Sequence, residues 1–385
     1  LLNHSVHSSR SYGMSDLRLE EDLRAGDRLY RNDSTESGRT FNDVSAEAGI
    51  FRSHIGYGLG VNTSDINNDG FPDIYISNDF HENDYLYINK GDGTFSEQLT
   101  DMIAHTSRSS MGNDVADINN DGLLDLIIVG DWMPVTVLIN QGDSKFLNET
   151  KSLGLEHSSG MWNTIAVTDI DKNGRTDLLV GNAGLNFKIK ASIEHPMKLY
   201  VDDFDENGQP DPIIFYNFFG HDVPFASKDK LTDQLPYLKK KFLSYSDFSK
   251  IKGIEDLTGK KEGEILETRK VAELRSMAYL NLGANTIAVP LPKEAQMSAI
   301  EDFEITDNGT MVYVGNYLDY TTELGTSKSN SGGILNINDQ KEIIAQGRLP
   351  LPKGLNARRI VRLKNNQFLV LANDDRSYLI SIPAE

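Results

Sequence analysis

Four stretches of this 385-residue chain place oxygen-bearing side chains at one repeated spacing. They read DINNDGFPD at 65–73, DINNDGLLD at 117–125, DIDKNGRTD at 169–177 and DFDENGQPD at 203–211. Each has Asp or Asn at positions 1, 3 and 5, Gly at position 6 and Asp at position 9. Alternate oxygens on a loop that turns sharply midway suit a hard cation such as Ca²⁺, which takes six to eight oxygen ligands. Gly70, Gly122, Gly174 and Gly208 permit that turn, because glycine reaches backbone angles that other residues avoid. The side-chain ligands so assigned are Asp65, Asn67, Asp69 and Asp73 in the first copy, and Asp117, Asn119, Asp121 and Asp125 in the second. The third copy offers Asp169, Asp171, Asn173 and Asp177, and the fourth Asp203, Asp205, Asn207 and Asp211. The backbone carbonyls of Phe71, Leu123, Arg175 and Gln209 stand at position 7. About four Ca²⁺ ions are therefore expected. Polar turns are also rich in Asp, Asn and Gly, but a turn needs no ninth-position aspartate. By ordinary residue usage the pattern begins at roughly one position in a million.

The elements that hold these loops are strands. An EF-hand would carry glutamate at position 12 and helices on both sides; here position 12 of the first copy is Ile76, inside Ile74-Tyr75-Ile76. The later copies continue Leu-Ile-Ile-Val and Leu-Leu-Val, short apolar runs rich in β-branched residues. A second phrase follows each run at a distance: Tyr85 to Phe95 (YLYINKGDGTF), Val137 to Phe146, and a worn copy from Ala278 to Ala284. Alternating residues around an Asn-x-Gly turn make a β-hairpin. Each repeat is thus a calcium loop, a buried strand and an outer hairpin. The first three loops begin 52 residues apart, and the fourth 34 residues after the third. A unit of that length with about four strands predicts an all-β fold, a β-propeller of about seven four-stranded blades over 1–385.

These motifs resemble the FG-GAP or VCBS repeats of integrin α-subunit propellers and of secreted proteins similar to cartilage acidic protein. The resemblance covers Arg28 to about Asp211. It implies loops that bind Ca²⁺ on one face of a propeller. The stretch Leu291 to Gln296 looks like part of the large cell-surface members of Bacteroidota-type bacteria. Glu304 to Val312 (EITDNGTMV) departs from the pattern, with Thr306 and Val312 where ligands would stand, and Arg362 to Phe368 has no acidic set, so both are expected to keep strand geometry without an ion.

The formal net charge of −19 argues against a nucleic-acid partner. The chain has no cysteine, which excludes disulfides and cysteine-ligated metal sites. It has no apolar run of membrane-spanning length. Loops of this type suit the roughly millimolar free calcium outside cells, so the expected location is extracellular or on a bacterial cell surface, with any export signal upstream of Leu1. A helical insertion is expected over 217–276, where Asp233 to Phe242 and Glu264 to Leu274 show helical spacing. Its part from Ala226 to Ser276 carries a net +3, which favours docking on its own acidic parent. His4 and His7 read as a solvated loop and not as ligands, and Asp16 to Arg24 allows a short helix. His54, Ser110-Met111 and Trp162-Asn163 precede their loops at similar distances, which would set them at one end of the central channel, and structural packing is the favoured reading over a site there. No nucleophile elbow, phosphate loop or zinc helix is present. The functional expectation is a binding or scaffold module for a protein or polysaccharide; the alternative is a carbohydrate-active propeller enzyme, a lyase or hydrolase.

Overall fold

The computed structural model describes residues 1–3, 5, 15–79, 82–103, 107, 109–142, 145–283 and 285–382. His4 and His7 lie outside the described residues. The fold is mostly β, in agreement with the sequence, and its main body is a series of five antiparallel sheets in chain order. Sheet A comprises Gly58–Ser64, Asp73–Asn78, Tyr85–Asn89 and Phe95–Glu97. Sheet B comprises Ser110–Ala116, Asp125–Met133, Thr136–Asn140 and Phe146–Asn148. Sheet C takes Gly160–Thr168, Asp177–Asn182, Met277–Leu280 and Ile287–Pro290, and is bridged to sheet B by the pairs Gly160 with Met133 and Met161 with Asp131. Sheet D is Ile300–Ile305, Met311–Gly315, Gly333–Ile337 and Ile343–Arg348, and sheet E has three strands, Ala357–Arg362, Gln367–Ala372 and Tyr378–Ser381.

The apolar runs after the acidic loops explain why the sheets stack. Successive side chains of a strand point to opposite faces. In sheet B, Leu126 and Ile128 pack with Tyr75 and Leu86 of sheet A, whereas Ile127 and Val129 pack with Leu178 and Val180 of sheet C. Leu179 turns the other way, toward Ile300, Met311 and Tyr313 of sheet D, and Val312 and Val314 pack with Ile360, Phe368 and Val370 of sheet E. A strand covered on both faces has no polar alternation, which is why these runs read as continuously hydrophobic.

The first strands of the sheets lie side by side. A Cβ on Gly60 would stand 3.2 Å from the Cα of Gly112, and one on Gly112 would stand 3.3 Å from the Cα of Thr164. Asp114 stitches three sheets together, accepting from Asn62 Nδ2 at 3.2 Å and from the Val167 amide at 2.9 Å. Asp302 accepts from the Ile360 amide at 2.9 Å in the same manner between sheets D and E.

Each of these five inner strands also carries a β-bulge near its start, at one equivalent place. The register shifts leave Leu59, Met111, Asn163, Glu301 and Arg358 as the extra residues. Close backbone packing accompanies the bulge: a Cβ on Gly130 would lie 1.9 Å from Ser109 O, and one on Gly315 would lie 1.9 Å from Ala299 O. Gly130→Ala must therefore push the backbone apart and should cost about 1–3 kcal/mol. Urea unfolding of the variant measures this, and an unchanged midpoint would contradict the packing described.

Two expectations are corrected by the strand pairing. Length over repeat led to about seven sheets of this kind, and five are present among the described residues. The N-terminal part instead forms loops, a short 3₁₀ turn at Ser15–Leu19 in place of the helix over Asp16 to Arg24, and a hairpin of Tyr30–Asn32 with Phe41–Asp43. The interruption is also wider than 217–276. Asp177–Asn182 pairs directly with Met277–Leu280, so residues 183–276 leave the series and return to it. They form their own sheet, ordered His221–Pro224, Asp211–Phe218, Met197–Asp202, Glu267–Val271, with the fourth acidic loop inside it. Helices Lys228–Gln234, Leu238–Lys241, Tyr245–Phe248 and Ile254–Thr258 cover that sheet. Glu267–Val271, inside a stretch that read as helical, is a strand because its ladder with Met197–Val201 overrides local spacing. The insertion docks on its parent, as its charge led us to expect, and the contact is both ionic and apolar. Lys230 Nζ lies 2.5 Å from Glu323, and Phe187, Ile189 and Leu274 pack with Trp132, Met161, Tyr320 and Leu324.

Candidate metal centres

All four acidic loops adopt one conformation. The carboxylate at position 1 clamps the turn by accepting two consecutive amides: Asp65 from Asp69 and Gly70 at 2.9 and 2.8 Å, and Asp117 from Asp121 and Gly122 at 3.0 and 2.9 Å. Asp169 holds Asn173 and Gly174 at 2.9 and 2.7 Å, and Asp203 holds Asn207 and Gly208 at 2.9 and 2.7 Å. The side chain at position 5 caps the amide of position 7, as Asp69 does for Phe71 at 2.9 Å and Asn173 for Arg175 at 2.8 Å. The position-6 glycines have φ between 81° and 90°, and the position-4 residues, Asn68, Asn120, Lys172 and Glu206, two places before them, are also left-handed. Lysine and glutamate rarely take that conformation; here the clamped loop imposes it.

Position 9 is the first residue of the second strand, where Asp73, Asp125 and Asp177 are fully buried and Asp211 nearly so. One oxygen accepts the amide of position 2, from Ile66 at 2.9 Å, Ile118 at 2.8 Å and Ile170 at 2.8 Å. The other accepts an amide from the end of the third strand, from Asn89 at 2.8 Å and Asn140 at 2.8 Å, or from the residue just past it, Asn281 at 2.7 Å. The three asparagines belong to the hairpin phrase that recurs beside the loops. Their support of the acidic loop was not foreseen, and the co-occurrence of the two phrases at a fixed distance is the signal that would have shown it.

The loops differ in how their charges converge. Asp169, Asp171 and Asp177 bring carboxylate oxygens within 4.8 Å of one another, as do Asp203, Asp205 and Asp211. In each set an oxygen of the position-3 aspartate, Asp171 Oδ1 and Asp205 Oδ1, is buried with no hydrogen-bond partner among the described residues. A buried acceptor without a donor costs free energy, and a cation among three carboxylates satisfies it. In the first two loops asparagine holds position 3, and its amide nitrogen donates to position 5, Asn67 to Asp69 and Asn119 to Asp121, both at 2.8 Å. Burial raises the Asp177 carboxyl above its ordinary range; the Asn281 and Ile170 amides oppose this, and the charges of Asp171 and Asp169 add to it. Asp73, Asp125 and Asp211 are raised in the same direction, with burial again the largest cause.

Position 9 and position 5 should respond differently to substitution. Asp125→Ala strands the amides of Ile118 and Asn140 and should cost about 2–4 kcal/mol even in the presence of a chelator. Asp121→Ala should cost stability chiefly when metal is present. Chemical denaturation of both variants with and without EDTA checks this, and equal losses in EDTA would contradict the structural role of position 9.

The fourth and fifth sheets lack such loops. Their first and second strands are joined by short turns, residues 306–310 in sheet D and 363–366 in sheet E, against 65–72 in sheet A. Val312, read as a worn ligand, lies inside the second strand and is fully buried. Asp307, in the turn, is held by Arg362 through two bonds of 2.7 Å, which lowers its carboxyl below the usual range. Of the residues placed at the channel end, Met111 and Asn163 are bulge residues. Ser110 instead donates to buried Asp84 at 3.0 Å, Trp162 is a core side chain bonded to Ser158 O at 3.0 Å, and His54 lies against Glu20 and Ser5.

Residues 65–128 and 117–180 each match the FG-GAP-like repeat. No curated protein matches the chain. Among solved structures, the chain is similar to the V. cholerae biofilm matrix protein Bap1, at 11% identity and a TM-score of 0.25 over 99% of this chain and 59% of that one. The chain therefore spans less than two thirds of the length of that structure.

Proposed function

We propose that this chain, whose residues 65–180 belong to the FG-GAP-like repeat family, is a calcium-stabilised β-propeller that works outside the cell or on a bacterial cell surface. Its role is that of a binding or scaffold module for a protein or polysaccharide. The observation that carries the reading is the pair of aspartate triads, each with a buried carboxylate oxygen that no group among the described residues satisfies. Asp65, Asn67, Asp69, Asp73 and the Phe71 carbonyl hold the first ion, and the equivalent residues of the other loops hold the second, third and fourth. Calcium supplies there a double positive charge and six to eight coordination positions for oxygen. The chain's own part is to fix the oxygens: position 1 clamps the turn and position 9 is anchored in the second strand.

Sheets packed face to face and joined along their first strands support the propeller architecture. The location rests on affinity, since loops of this kind fill where free calcium is near millimolar and stay empty in a calcium-poor cytosol. The test of the binding role is retention of the calcium-loaded chain on immobilised polysaccharides and on matrix proteins, with the same polysaccharides assayed for cleavage. Retention without new reducing or unsaturated ends is the expected result. Release of such ends would overturn the scaffold reading in favour of a carbohydrate-active enzyme.

A further inference from the structure

At the end that carries the acidic loops, a cleft opens between sheets D and E and runs on to the third acidic loop. It has two adjoining lobes, of about 410 Å³ and about 600 Å³, each within the roughly 300–1,000 Å³ usual for ligand sites. Thr310, Asn336 and Gln346 line both lobes, so they stand where the two meet. The short turn of sheet D accounts for the opening. In sheets A and B the position-7 side chain lies over the outer hairpin: a Cβ on Gly91 would come 2.7 Å from the Phe71 ring, and one on Gly142 would come 3.8 Å from Leu123 Cδ1. The turn at residues 306–310 ends before any such position, and the outer strands of sheet D, Gly333–Ile337 and Ile343–Arg348, stay uncovered there.

The lining is polar, balanced in charge and rich in unused hydrogen-bonding groups. The two lobes together carry three acidic and three basic side chains. Several of these fix the walls: Asp307 is paired with Arg362, Lys341 Nζ donates to the Asp171 carbonyl at 2.7 Å, and Lys172 Nζ donates to the Asn308 carbonyl at 3.0 Å. By contrast, the hydroxyl of Thr310 and the side-chain amides of Asn336, Gln346 and Asn366 make no hydrogen bond to another described residue. Asn336 and Asn366 are half-buried and Gln346 is exposed, so a ligand can reach them. The backbone also aims Gln346. The ladder slips between the pairs Ile334 with Gly347 and Leu335 with Ala345, which leaves Gln346 as the extra residue of a bulge, and a bulge redirects its side chain. Ile334 and Ile382 add apolar surface beside the amides.

We propose that this cleft binds a neutral oligosaccharide, with Asn336, Gln346, Asn366 and Thr310 as its hydrogen-bonding residues. A primary amide offers two donors and an acceptor, and a hydroxyl both donates and accepts, which matches the neighbouring hydroxyls of a sugar ring. Ile334 and Ile382 suit the C–H face of such a ring. An ionised sugar would give up water without meeting an uncompensated opposite charge, and an apolar ligand would leave the amides desolvated and unpaired. The inference rests on the polysaccharide side of the binding role proposed above, and narrows it to an uncharged chain held at one place.

The test is isothermal titration of the full calcium-loaded chain with cellotriose, maltotriose, mannotriose and triacetylchitotriose, against cationic chitotriose and anionic trigalacturonate. At least one neutral trisaccharide should bind with a Kd of about 1 mM or tighter, and both charged ones should bind at least about tenfold more weakly. Asn336→Ala and Gln346→Ala remove amides that bond no described residue, so both variants should keep the melting temperature while each weakens the sugar roughly three- to tenfold. In the unaltered chain, bound sugar should protect residues 306–310 and 343–348 from hydrogen exchange, a readout that needs no variant. No neutral sugar bound at tens of millimolar, charged sugars bound as tightly, protection confined to other parts of the chain, or an affinity unchanged in both variants would each overturn the proposal. Retention of the chain on a polysaccharide with both variants unaffected would overturn the cleft alone and leave the binding role standing. Cleavage of a sugar held in the cleft would support the cleft and overturn the scaffold reading.

Discussion

Chelation should lower the melting temperature of this protein by about 6–8 °C. Without the ion, the third and fourth loops each hold three carboxylates within 4.8 Å, and such groups repel. An ion that binds only the folded chain stabilises it by RT ln(1 + [L]/Kd). With calcium at about 1 mM and a Kd of about 0.1 mM, each site contributes roughly 1.4 kcal/mol, and four contribute about 5–6 kcal/mol. That rivals the net stability of a whole domain, about 5–15 kcal/mol. Magnesium should rescue poorly, because it demands octahedral geometry at shorter distances and gives up water reluctantly. The measurement is a thermal melt in calcium, in EDTA, and in EDTA with excess magnesium, with limited proteolysis of each. Protease sensitivity should rise between Asp65 and Asp211 and much less in sheets D and E, where the loops are replaced by short turns. Equal melting temperatures in all three conditions would contradict the role given to the ion.

The second large effect concerns the insertion. Since Val180 pairs with Met277 across adjacent antiparallel strands, joining Asn182 to Met277 by a short turn replaces residues 183–276 with a hairpin. The five-sheet series should fold without it, at reduced stability, because Trp132, Met161 and Tyr320 lose the apolar cover of Phe187, Ile189 and Leu274. Removing only 226–276 should be far more damaging. It strips the Glu267–Val271 strand from Met197–Val201 and takes Leu231, Leu235, Leu238, Ile254 and Leu257 away from Tyr200, Ile213 and Phe215. That truncation should leave a protease-labile stump and aggregate, whereas the wider excision should remain monodisperse. Circular dichroism and size-exclusion chromatography of the two deletions check the order, and the reverse order would contradict the boundaries.

The acidic loops and their strands were legible because their chemistry is local. Nine residues carry the clamp, the glycine turn and the anchor, and a buried strand must follow at once. The apolar runs also announced burial on both faces, as Ile127 and Ile128 pack on opposite sides. What was not legible is set by pairing between distant residues. Glu267–Val271 has helical spacing and is a strand because Met197–Val201 offers it a ladder. Val312 looked like a worn ligand because local spacing cannot show that the turn before it is three residues shorter than in sheet A. The bulge end was the least visible. Asp79 and Asp131 stand at the same place in successive repeats, as do Leu59, Met111 and Asn163, but their side-chain types change from sheet to sheet. A position whose geometry repeats while its chemistry does not leaves no motif in one sequence.

The central claim, that the four acidic loops hold calcium, is tested most directly by counting ions. Native mass spectrometry of the chain in calcium should show about four bound ions. Asp69→Ala, Asp121→Ala, Asp171→Ala and Asp205→Ala should each remove one, and Glu304→Ala should remove none. A chain that carries no calcium, or a count unmoved by all four loop substitutions, would contradict the account.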